Sequence, residues 1–458
     1  MKYFMAIDIG ASSGRHILGA VENGKLQLEE IYRFENANTG EGGSLCWDID
    51  RLRKEVLAGI RQAKTIGKVP VSVAIDTWGC DYVLLDPSGE VLDPVYAYRD
   101  ARTLKVLDEA EERMPFRELY RRTGIQKQNF NTVYQLFSDV VSGKLDKAGR
   151  FLMIPDYLSY ILTGNAVNEY TNATTTSMVS ARTGTWDAEI FRAFDIPERL
   201  FTEPAMPGTF VGRFTEEIRK YAGYDADVVL APSHDTASAV AACPLTDGTV
   251  YLSSGTWSLI GVENPEPVIT EQSQAFNFTN EGGVEHRFRY LKNIMGTWIL
   301  QNIRKDLDKK YSFPDLIAMA ESTDSFTEFD VNDELLLAPE NMILAVRTMI
   351  RDPDAGLPEV LNSVYHSLGR AYADAVREIE ETSGRTPKQI LIVGGGSQDR
   401  YLNRMTSLYT GLPVLTGIKE ATAVGNLLSQ IMYADGLSLT EARNIIKNTF
   451  TMEKEEIA

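Results

Sequence analysis

Apolar segments of strand length alternate with amphipathic segments of helical length along this chain. Predicted strands cover residues 3–9, 15–21, 69–75 and 82–85, and predicted helices cover residues 50–65, 103–122 and 131–143. Glycine, serine, asparagine and aspartate residues at the strand ends supply turns. Because strands interleaved with helices form sheets that helices cover, this pattern predicts an α/β fold.

A twelve-residue segment occurs twice, once near the start of each half of the chain. Residues 12–23 read SSGRHILGAVEN and residues 253–264 read SSGTWSLIGVEN, with seven identical positions at an offset of 241. Each copy follows a strand-like run, which favours duplication of one supersecondary unit. The repeat therefore predicts two lobes of similar core fold, residues 1–244 and 245–458, with a linker at residues 244–248.

Composition and charge exclude several classes of partner. The chain of 458 residues carries a formal net charge of −18, which argues against non-specific nucleic-acid binding and against docking on an anionic membrane. Its three cysteines are far apart and form no C-x-x-C pair, so a zinc site or a dithiol redox site is not expected. So few cysteines, and an odd number of them, indicate a reducing compartment. Asp8 comes too early for a signal peptide, and no apolar stretch is long enough for a membrane span. The sequence predicts a cytoplasmic protein.

The segment from Asp8 to Arg15 has the features of a phosphate loop. An acidic residue closes an apolar strand, and a turn bounded by glycines and containing two serines follows it. Such a turn directs N–H groups and hydroxyls at one point, and a carboxylate at the strand end can hold Mg²⁺ through water. The second copy, Ser253–Thr256, predicts a matching loop, and the two together could clamp the phosphates of a nucleotide. The alternative is a simple β-hairpin with an Asx turn.

Neither established glycine-rich nucleotide motif is present. The chain has no G-x-x-x-x-G-K-[ST] sequence, and Gly10 and Gly14 lie between two strands instead of opening a helix. A third glycine loop follows the apolar run at residues 390–393, and a helix is predicted over 399–409. Three consecutive glycines there favour close approach of a ligand, whereas a tight strand–helix turn is the alternative.

Asp235 lies at the predicted start of a helix of small residues, after Pro232, Ser233 and His234. A carboxylate at this position could accept a proton from a substrate hydroxyl. The alternative is that Asp235 or Ser233 caps the helix, which is a common use of both residue types. His234 could equally be a core histidine bonded to the backbone.

Two further segments carry polar and aromatic residues suited to a sugar. Residues 76–81, Asp-Thr-Trp-Gly-Cys-Asp, offer hydroxyl acceptors and an aromatic platform, unless they form a turn around one buried tryptophan. In residues 290–301 the spacing becomes helical from Ile294 onward. Asn293 and Gln301 are the candidate polar contacts in that segment.

Taken together, these segments resemble the FGGY family of carbohydrate kinases. The matching runs are AIDIGASSGR, AIDTWGCDYVLLD, VYAYRDART, MIPDYLSYILTG, EYTNATTT, APSHDTASAV, YLSSGTWSLIG, NEGG, YLKNIMG and IVGGGSQ, which extend from residue 6 to residue 398. The resemblance implies two ribonuclease-H-like lobes of the actin and sugar-kinase superfamily that flank a cleft. It also implies ATP- and Mg²⁺-dependent phosphorylation of L-rhamnulose at its 1-hydroxyl, in L-rhamnose degradation.

The resemblance assigns roles residue by residue. It makes Asp235 the catalytic base and places Asp8 near the metal ion. It implies ketose contacts at Gly79, His234, Asp235, Thr236 and Asn293. It implies ATP contacts at Ala11, Ser12, Ser13, Gly14, Arg15, Thr256, Gln301 and Gly395. The N-terminal lobe would then carry the sugar and the phosphate loop, and the C-terminal lobe would bind the nucleotide. Many relatives have Thr where this chain has Ala11, so Ser12 and Ser13 would supply the missing hydroxyl.

Three other functions are compatible with parts of this pattern. A sister kinase acting on another ketose, such as L-fuculose, would share the same spacing of motifs. An actin-like or chaperone-like ATPase would share the glycine loops but would have no sugar pocket. A sugar-binding regulator would keep the fold and would be expected to lack the base or the phosphate loop.

Overall fold

The computed structural model describes residues 1–41 and 43–455. The strands are β1 (Tyr3–Ile9), β2 (Ser13–Glu22), β3 (Lys25–Glu35), β4 (Thr39–Glu41), β5 (Ser44–Cys46), β6 (Pro70–Thr77), β7 (Tyr82–Leu85), β8 (Arg150–Met153), β9 (Asn168–Glu169), β10 (Pro204–Ala205), β11 (Phe210–Arg213), β12 (Asp227–Val229), β13 (Thr249–Ser254), β14 (Trp257–Asn264), β15 (Thr279–Gly282), β16 (Phe288–Met295), β17 (Gln389–Val393), β18 (Val414–Thr416) and β19 (Glu453–Glu455).

The α-helices alternate with these strands, as the sequence pattern predicts. They are α1 (Ile49–Thr65), α2 (Leu107–Arg113), α3 (Phe116–Thr123), α4 (Thr132–Val141), α5 (Ile154–Thr163), α6 (Tyr170–Thr174), α7 (Ala188–Ala193), α8 (Glu216–Ala222), α9 (Asp235–Ala242), α10 (Glu271–Ala275), α11 (Trp298–Asp306), α12 (Phe313–Glu321), α13 (Met342–Ile350), α14 (Leu357–Ser383), α15 (Arg400–Thr410), α16 (Ala421–Asp435) and α17 (Leu439–Thr449). Short 3-10 helices cover Ala101–Lys105, Leu145–Lys147, Glu198–Leu200, Val284–His286, Glu334–Leu336 and Gly395–Gln398.

The chain forms two compact units, each built from more than one segment. The first unit contains Met1–Pro244, Asn264–Tyr290 and Ala421–Thr449, and the second contains Leu245–Glu263, Leu291–Glu420 and Phe450–Ala458. One unit boundary therefore falls after Pro244. The simple division into residues 1–244 and 245–458 differs from these units because two later segments belong with the first unit. That division stays a prediction.

The first unit is organised around a mixed sheet with strand order β11-β12-β6-β1-β2-β3. Its central strand β1 is antiparallel to β2 and parallel to β6, and this register places Asp8 beside both Arg15 and Asp76. Helix α1 covers part of the sheet with an apolar face of Leu52, Val56 and Ile60, which belong to the same core as Ile7 and Ile75. The sheet thus brings the ends of β1 and β6 together.

The second unit repeats this topology. Strands β16 (from Leu291 onward), β14, β13, β17 and β18 lie side by side in the order in which β3, β2, β1, β6 and β12 lie in the first unit. β13 is antiparallel to β14 and parallel to β17, as β1 is to β2 and β6. The prediction of a duplicated core fold is therefore confirmed.

The matching serines, however, do not occupy equivalent positions in the two hairpins. The first hairpin closes with Ile9 opposite Gly14, whereas the second closes with Ser254 opposite Ser258. The offset of 241 aligns Ser254 with Ser13, which begins β2, although Ser254 itself ends β13. The duplication thus lies in the strand order, and the shared serines do not mark its register.

Two predicted helices differ from the observed elements. The segment predicted as one helix over 103–122 is divided, because Pro115 has no N–H and disfavours a helical conformation at the residue before it. Met114 is accordingly extended, with φ −147° and ψ 105°, and α3 starts after the proline. The segment from Ile294 was expected to be helical, but β16 continues to Met295 and α11 begins only after Gly296.

Among the described residues, no helix combines the length and the apolar character that crossing a membrane requires.

Candidate active site

The loop between β1 and β2 is held by hydrogen bonds to its carbonyl groups, one of which comes from the side chain of Asn36. The N–H of Gly10 donates to the carbonyl of Ser13 at 2.8 Å, and Asn36 bonds to the carbonyls of Ser12 and Gly10, each at 2.9 Å. Ala11 and Ser12 stay exposed at the tip. Neither serine hydroxyl hydrogen-bonds another described residue, so both are available to a ligand. The hairpin geometry is confirmed, and phosphate binding by it stays a prediction.

Gly14 has a packing role that the sequence does not reveal. A Cβ atom at this position would lie 2.1 Å from Cζ of Phe34, so the ring occupies the space that any side chain would need. Packing alone is therefore sufficient reason for this glycine.

Arg15, the neighbour of Gly14, donates to Oδ2 of Asp8 through Nε at 3.0 Å and Nη2 at 2.8 Å. The two residues predicted to contact ATP and metal thus form an ion pair in this structure.

Asp8 and Asp76 form a pair of carboxylates on neighbouring strands. Asp76 is fully buried, and its Oδ2 accepts from Asn426 at 2.6 Å while its Oδ1 has no hydrogen-bond partner among the described residues. Burial and the charge of Asp8 raise the pKa of Asp76, whereas the Asn426 hydrogen bond opposes the shift. The strand register thus places two carboxyl groups side by side, and Asp8 also pairs with Arg15.

The acidic cluster fits a magnesium ion that is only partly held by protein. Carboxylate oxygens are the ligands that Mg²⁺ prefers, and Mg²⁺ usually keeps several waters and phosphate oxygens in its coordination shell. The described residues contain no group of three or more His, Cys, Asp or Glu side chains arranged to hold a metal by themselves. Asp8 and Asp76 therefore suit an ion shared with a nucleotide.

Asp235 opens helix α9 but does not cap it. The N-cap position belongs to His234, which makes no side-chain capping bond, and the Ser233 hydroxyl is used elsewhere. The capping alternative for either residue is therefore wrong. Oδ1 of Asp235 accepts from the hydroxyl of Thr236 at 3.1 Å, and 34% of the Asp235 side chain is exposed.

The surroundings of Asp235 favour its protonated form. Burial raises the pKa of Asp235, and the charge of Asp8 raises it further, whereas His234 and the bonds from Thr236 oppose the shift. A carboxylate with a raised pKa holds a proton more readily, which is the property a general base needs. Asp235 is thus a half-buried acid with one accessible edge and increased basicity.

Gly79, His234 and Thr236 lie around this carboxylate. Nε2 of His234 is 3.5 Å from Oδ1 of Asp235, and a Cβ added to Gly79 would lie 3.4 Å from the same nitrogen. The N–H of Thr77 donates to the carbonyl of Ser233 at 2.9 Å, which holds the end of β6 beside the start of α9. The first unit therefore brings together Gly79, His234, Asp235 and Thr236, which the resemblance assigns to the ketose.

Glu169 anchors this region, although sequence reasoning assigned it no role. Its buried carboxylate accepts from both the N–H and the hydroxyl of Ser233, and also from Thr171 and the N–H of Asn172. Burial raises the pKa of Glu169, and these donors oppose the shift. Glu169 caps the start of α6, and the sequence carried no clear signal of this because glutamate is not among the residues preferred at a helix N-cap.

The aromatic cluster at residues 76–81 is not a sugar platform. Asp81 is fully buried and accepts from the indole N–H groups of Trp47 at 2.7 Å and Trp78 at 2.8 Å. The two indole rings pack against each other with centroids 4.2 Å apart. Burial raises the pKa of Asp81 to about 6, against the effect of these hydrogen bonds. The alternative of a buried tryptophan is correct, with a second tryptophan beside it.

In the second unit, the predicted nucleotide contacts lie close together at the end of β13. Thr297 donates to the carbonyl of Gly255 through its N–H at 3.0 Å and its hydroxyl at 2.7 Å, and Gln301 donates to the Thr297 hydroxyl at 3.0 Å. The carbonyl of Thr256 accepts from the N–H of Trp298 at 3.1 Å. The start of α11 therefore holds Gln301 beside the Gly255–Thr256 turn.

The three consecutive glycines after β17 have different surroundings. A Cβ at Gly396 would lie 2.0 Å from Oγ of Ser254. Gly394 has φ +83°, and a Cβ there would lie 2.9 Å from the carbonyl oxygen of Ser254. A Cβ at Gly395 would meet nothing within 4 Å. Gly394 and Gly396 thus serve packing, while Gly395 leaves an open surface next to Ser254.

Asn293, which the resemblance assigns to the ketose, lies on β16 in the second unit and is partly exposed.

Comparison with known proteins identifies the family. Residues 3–242 match the family model for the N-terminal domain of FGGY carbohydrate kinases, and residues 250–434 match that for the C-terminal domain. The chain belongs to the FGGY family of carbohydrate kinases. It is therefore a phosphotransferase, and the ATPase and regulator alternatives are set aside. Sugar kinases of this family use ATP.

Curated relatives of this FGGY kinase share its whole length. A protein named rhamnulokinase from Oceanobacillus iheyensis is 43% identical, covering 98% of this chain and 97% of the relative. Rhamnulokinases from Halalkalibacterium halodurans and Bacillus subtilis are 42% and 41% identical, covering 99% and 98% of this chain and 98% and 94% of the relatives.

Solved structures confirm the fold of this FGGY kinase. A xylulose kinase from Lactobacillus acidophilus superposes with a TM-score of 0.81 at 16% identity, covering 99% of this chain and 93% of that chain. A glycerol kinase from Plasmodium falciparum gives a TM-score of 0.78 at 13% identity, covering 100% and 95%. At these identities the likeness concerns the fold alone.

Proposed function

We propose that this FGGY kinase transfers the γ-phosphoryl group of ATP to the 1-hydroxyl of L-rhamnulose, giving L-rhamnulose 1-phosphate and ADP. The observation that carries the proposal is the similarity to curated rhamnulokinases, at 41–43% identity over nearly the full length of both proteins. The motifs around the acceptor site, EYTNATTT and SHDTASAV, are present in full.

Asp235 acts as the general base in this reaction. Its partly exposed edge can meet the sugar hydroxyl, and its raised pKa suits it to accept the proton as the hydroxyl oxygen bonds to phosphorus. The bond from the γ-phosphorus to the bridging oxygen of ADP breaks in the same transfer. Phosphoryl transfer depends mainly on positioning and charge stabilisation, so one oriented carboxylate is sufficient acid–base chemistry.

The ketose binds beside Asp235 through polar groups of its neighbourhood. Gly79 lies against the His234 ring without a side chain, and the hydroxyl of Thr236 lies next to the carboxylate. Asn293, in the second unit, is a further proposed ketose contact, because its side-chain amide can bond to sugar hydroxyls. A site whose oriented polar groups bond to substrate hydroxyls rejects analogues that leave those groups unpaired.

The proposed ATP contacts form two sets, one in each unit. Ala11, Ser12, Ser13, Gly14 and Arg15 form the first set, and Thr256, Gln301 and Gly395 form the second. Asp8, with Asp76 beside it, would hold the Mg²⁺ ion, which neutralises charge on the phosphates when it is bound. Because backbone amides and a cation would bind the phosphates, a net charge of −18 does not oppose ATP binding.

A substrate panel tests the proposal. ADP release is measured with ATP, Mg²⁺ and L-rhamnulose, L-fuculose, D-xylulose or glycerol as acceptor, and phosphorus NMR locates the phosphate on the product. We expect the highest kcat/KM with L-rhamnulose and a phosphate at carbon 1. A higher kcat/KM with L-fuculose would replace the proposed substrate, and ADP release independent of any sugar would overturn the proposal.

A further inference from the structure

A buried ion pair lies directly behind His234. Arg289 exposes 1% of its side chain and Glu281 exposes 7%, and Nη1 of the arginine is 2.9 Å from Oε2 of the glutamate. Nε of Arg289 donates to the carbonyl of Gly282 at 3.0 Å. The remaining terminal nitrogen, Nη2, lies 3.2 Å from Nδ1 of His234. All four residues belong to the first unit.

The chemistry of the guanidinium group determines which ring nitrogen carries the proton. Arginine has five N–H donors and no acceptor, so a hydrogen bond from Nη2 needs a lone pair on Nδ1. A neutral imidazole with a lone pair on Nδ1 carries its proton on Nε2. The opposite tautomer would place two donors face to face and leave Nη2 of a buried charged group unsatisfied, which is costly.

Glu281 lies as close to Nδ1 of His234 as Arg289 does. Its Oε2 is also 3.2 Å from Nδ1 of His234, but its shorter contact is with Nη1 of Arg289. Burial alone would raise the pKa of Glu281, yet the charge of Arg289 opposes burial most strongly, and the pKa lies below the ordinary value. The glutamate therefore stays ionised and neutralises the arginine, so the ring faces a buried pair with no net charge.

The other side of the ring faces the catalytic residues. Nε2 of His234 is 3.5 Å from Oδ1 of Asp235 and 3.4 Å from the position that a Cβ of Gly79 would take. We propose that the Arg289–Glu281 pair is a positioning device: Arg289 holds the His234 proton on Nε2, where it donates a hydrogen bond to a ketose oxygen next to Asp235. This inference rests on the proposed function and identifies the groups that make His234 a donor.

NMR of the complete, unmodified protein tests the tautomer directly. Two-dimensional ¹H–¹⁵N spectra optimised for imidazole distinguish a protonated ring nitrogen from one with a lone pair. The chain has four histidines, and the His234 signals are assigned by their loss in His234→Asn. We expect a protonated Nε2 and an unprotonated Nδ1 near neutral pH. A proton on Nδ1, alone or together with one on Nε2, would overturn the proposal.

Substitution of the arginine tests the consequence for the sugar. In Arg289→Met, we expect the KM for the ketose to rise about tenfold, the size of losing one oriented hydrogen bond, while the KM for ATP changes little. Arg289→Lys keeps a charged donor and should restore part of the affinity. An unchanged ketose KM in a folded Arg289→Met protein would contradict the inference.

Arg443→Met is the matched control. Arg443 is also buried in the first unit, but its guanidinium donates to the carbonyls of Val240 and Ala241 at the far end of α9. It should lose stability in the way Arg289→Met does while its ketose KM stays at the level of the unmodified protein. If neither variant folds, the NMR experiment still decides the tautomer. That measurement uses no substrate, so a failure of L-rhamnulose in the substrate panel is distinguishable from a failure of this inference.

Discussion

Ser233 donates to the carboxylate of Glu169 through both its N–H, at 3.1 Å, and its hydroxyl, at 2.7 Å, two residues before Asp235. The contact joins the start of α6 to the start of α9, residues 64 positions apart in the sequence. Because Glu169 also accepts from Thr171 and Asn172, the segment that leads into Asp235 is held at a well-defined position. This relationship connects a buried glutamate with the placement of the proposed base.

Replacing Glu169 should therefore lower turnover without changing a substrate contact. Glu169→Gln offers one acceptor oxygen where two served before, so a buried donor loses its partner at a cost of ~1–3 kcal/mol. We expect a lower Tm and a lower kcat, with the KM for ATP unchanged. Steady-state kinetics and thermal melting measure both effects, and the exposed Glu22→Gln is the control. Full kcat in Glu169→Gln would mean that the contact only stabilises the fold.

Removing the charge of Asp235 tests its role as the base. Asp235→Asn keeps the size of the side chain but cannot accept the proton, so we expect kcat to fall by ~10²–10⁴-fold. The fold should be retained, as judged by circular dichroism and thermal melting. The exposed Asp108→Asn should keep full activity. Turnover within a few-fold of the unmodified protein would contradict the assignment.

The raised pKa of Asp235 predicts how activity and stability depend on pH. Since the native state holds the proton more tightly than the unfolded chain, the native carboxylate is disfavoured as pH rises above the ordinary aspartate value of ~3.9. We expect kcat/KM to decline on the acidic side at a pH above that value. The Tm of Asp235→Asn should equal or exceed that of the unmodified protein at neutral pH.

The stability difference should shrink as the pH is lowered toward the ordinary aspartate value, because both proteins then carry a neutral side chain. Thermal melting of both proteins across a pH series measures this. A larger advantage for Asp235→Asn at low pH than at neutral pH would show the opposite sign, and with it a lowered pKa.

Two adjacent glycines provide a matched pair for the nucleotide site. Gly396→Ala would bring a Cβ to 2.0 Å from Oγ of Ser254, so overpacking should cost ~1–3 kcal/mol of unfolding free energy. Gly395→Ala meets nothing within 4 Å and should keep the same stability. If Gly395 faces the nucleotide, its variant should raise the KM for ATP and leave the KM for the ketose unchanged. Denaturant unfolding and kinetics with both variants separate packing from ligand contact.

Much of the local structure could be predicted because its causes lie within a few residues. Strands β1 and β7 begin and end at the predicted positions, since an apolar run and its turn residues are contiguous. The start of α9 at Asp235 and the strand leading into the glycine loop at Gly394 follow from the same kind of local signal. The duplicated core was also visible in the sequence, although aligning the two copies on their shared serines does not align equivalent strand positions.

The tertiary structure decided which polar residues serve packing and which face a ligand. The sequence pattern made Asp81 and Trp78 suitable for a sugar. In the structure, the indole of Trp47, which is 34 residues from Asp81 in the sequence, bonds to Asp81 and packs against Trp78. The predicted helix over 103–122 was wrong for a local reason. Its apolar spacing is helical throughout, but Pro115 disfavours a helical conformation at the residue before it and divides the segment.

By itself, the sequence determined the α/β fold, the duplicated core and the resemblance to the family, and through that resemblance it proposed Asp235 as the base. Only the tertiary structure placed Glu169 against Ser233 and the Arg289–Glu281 pair against His234, over separations of 64 and 55 residues. The physical reason is that these contacts satisfy buried polar groups, and such groups find their partners only when strands and helices distant in the sequence pack together.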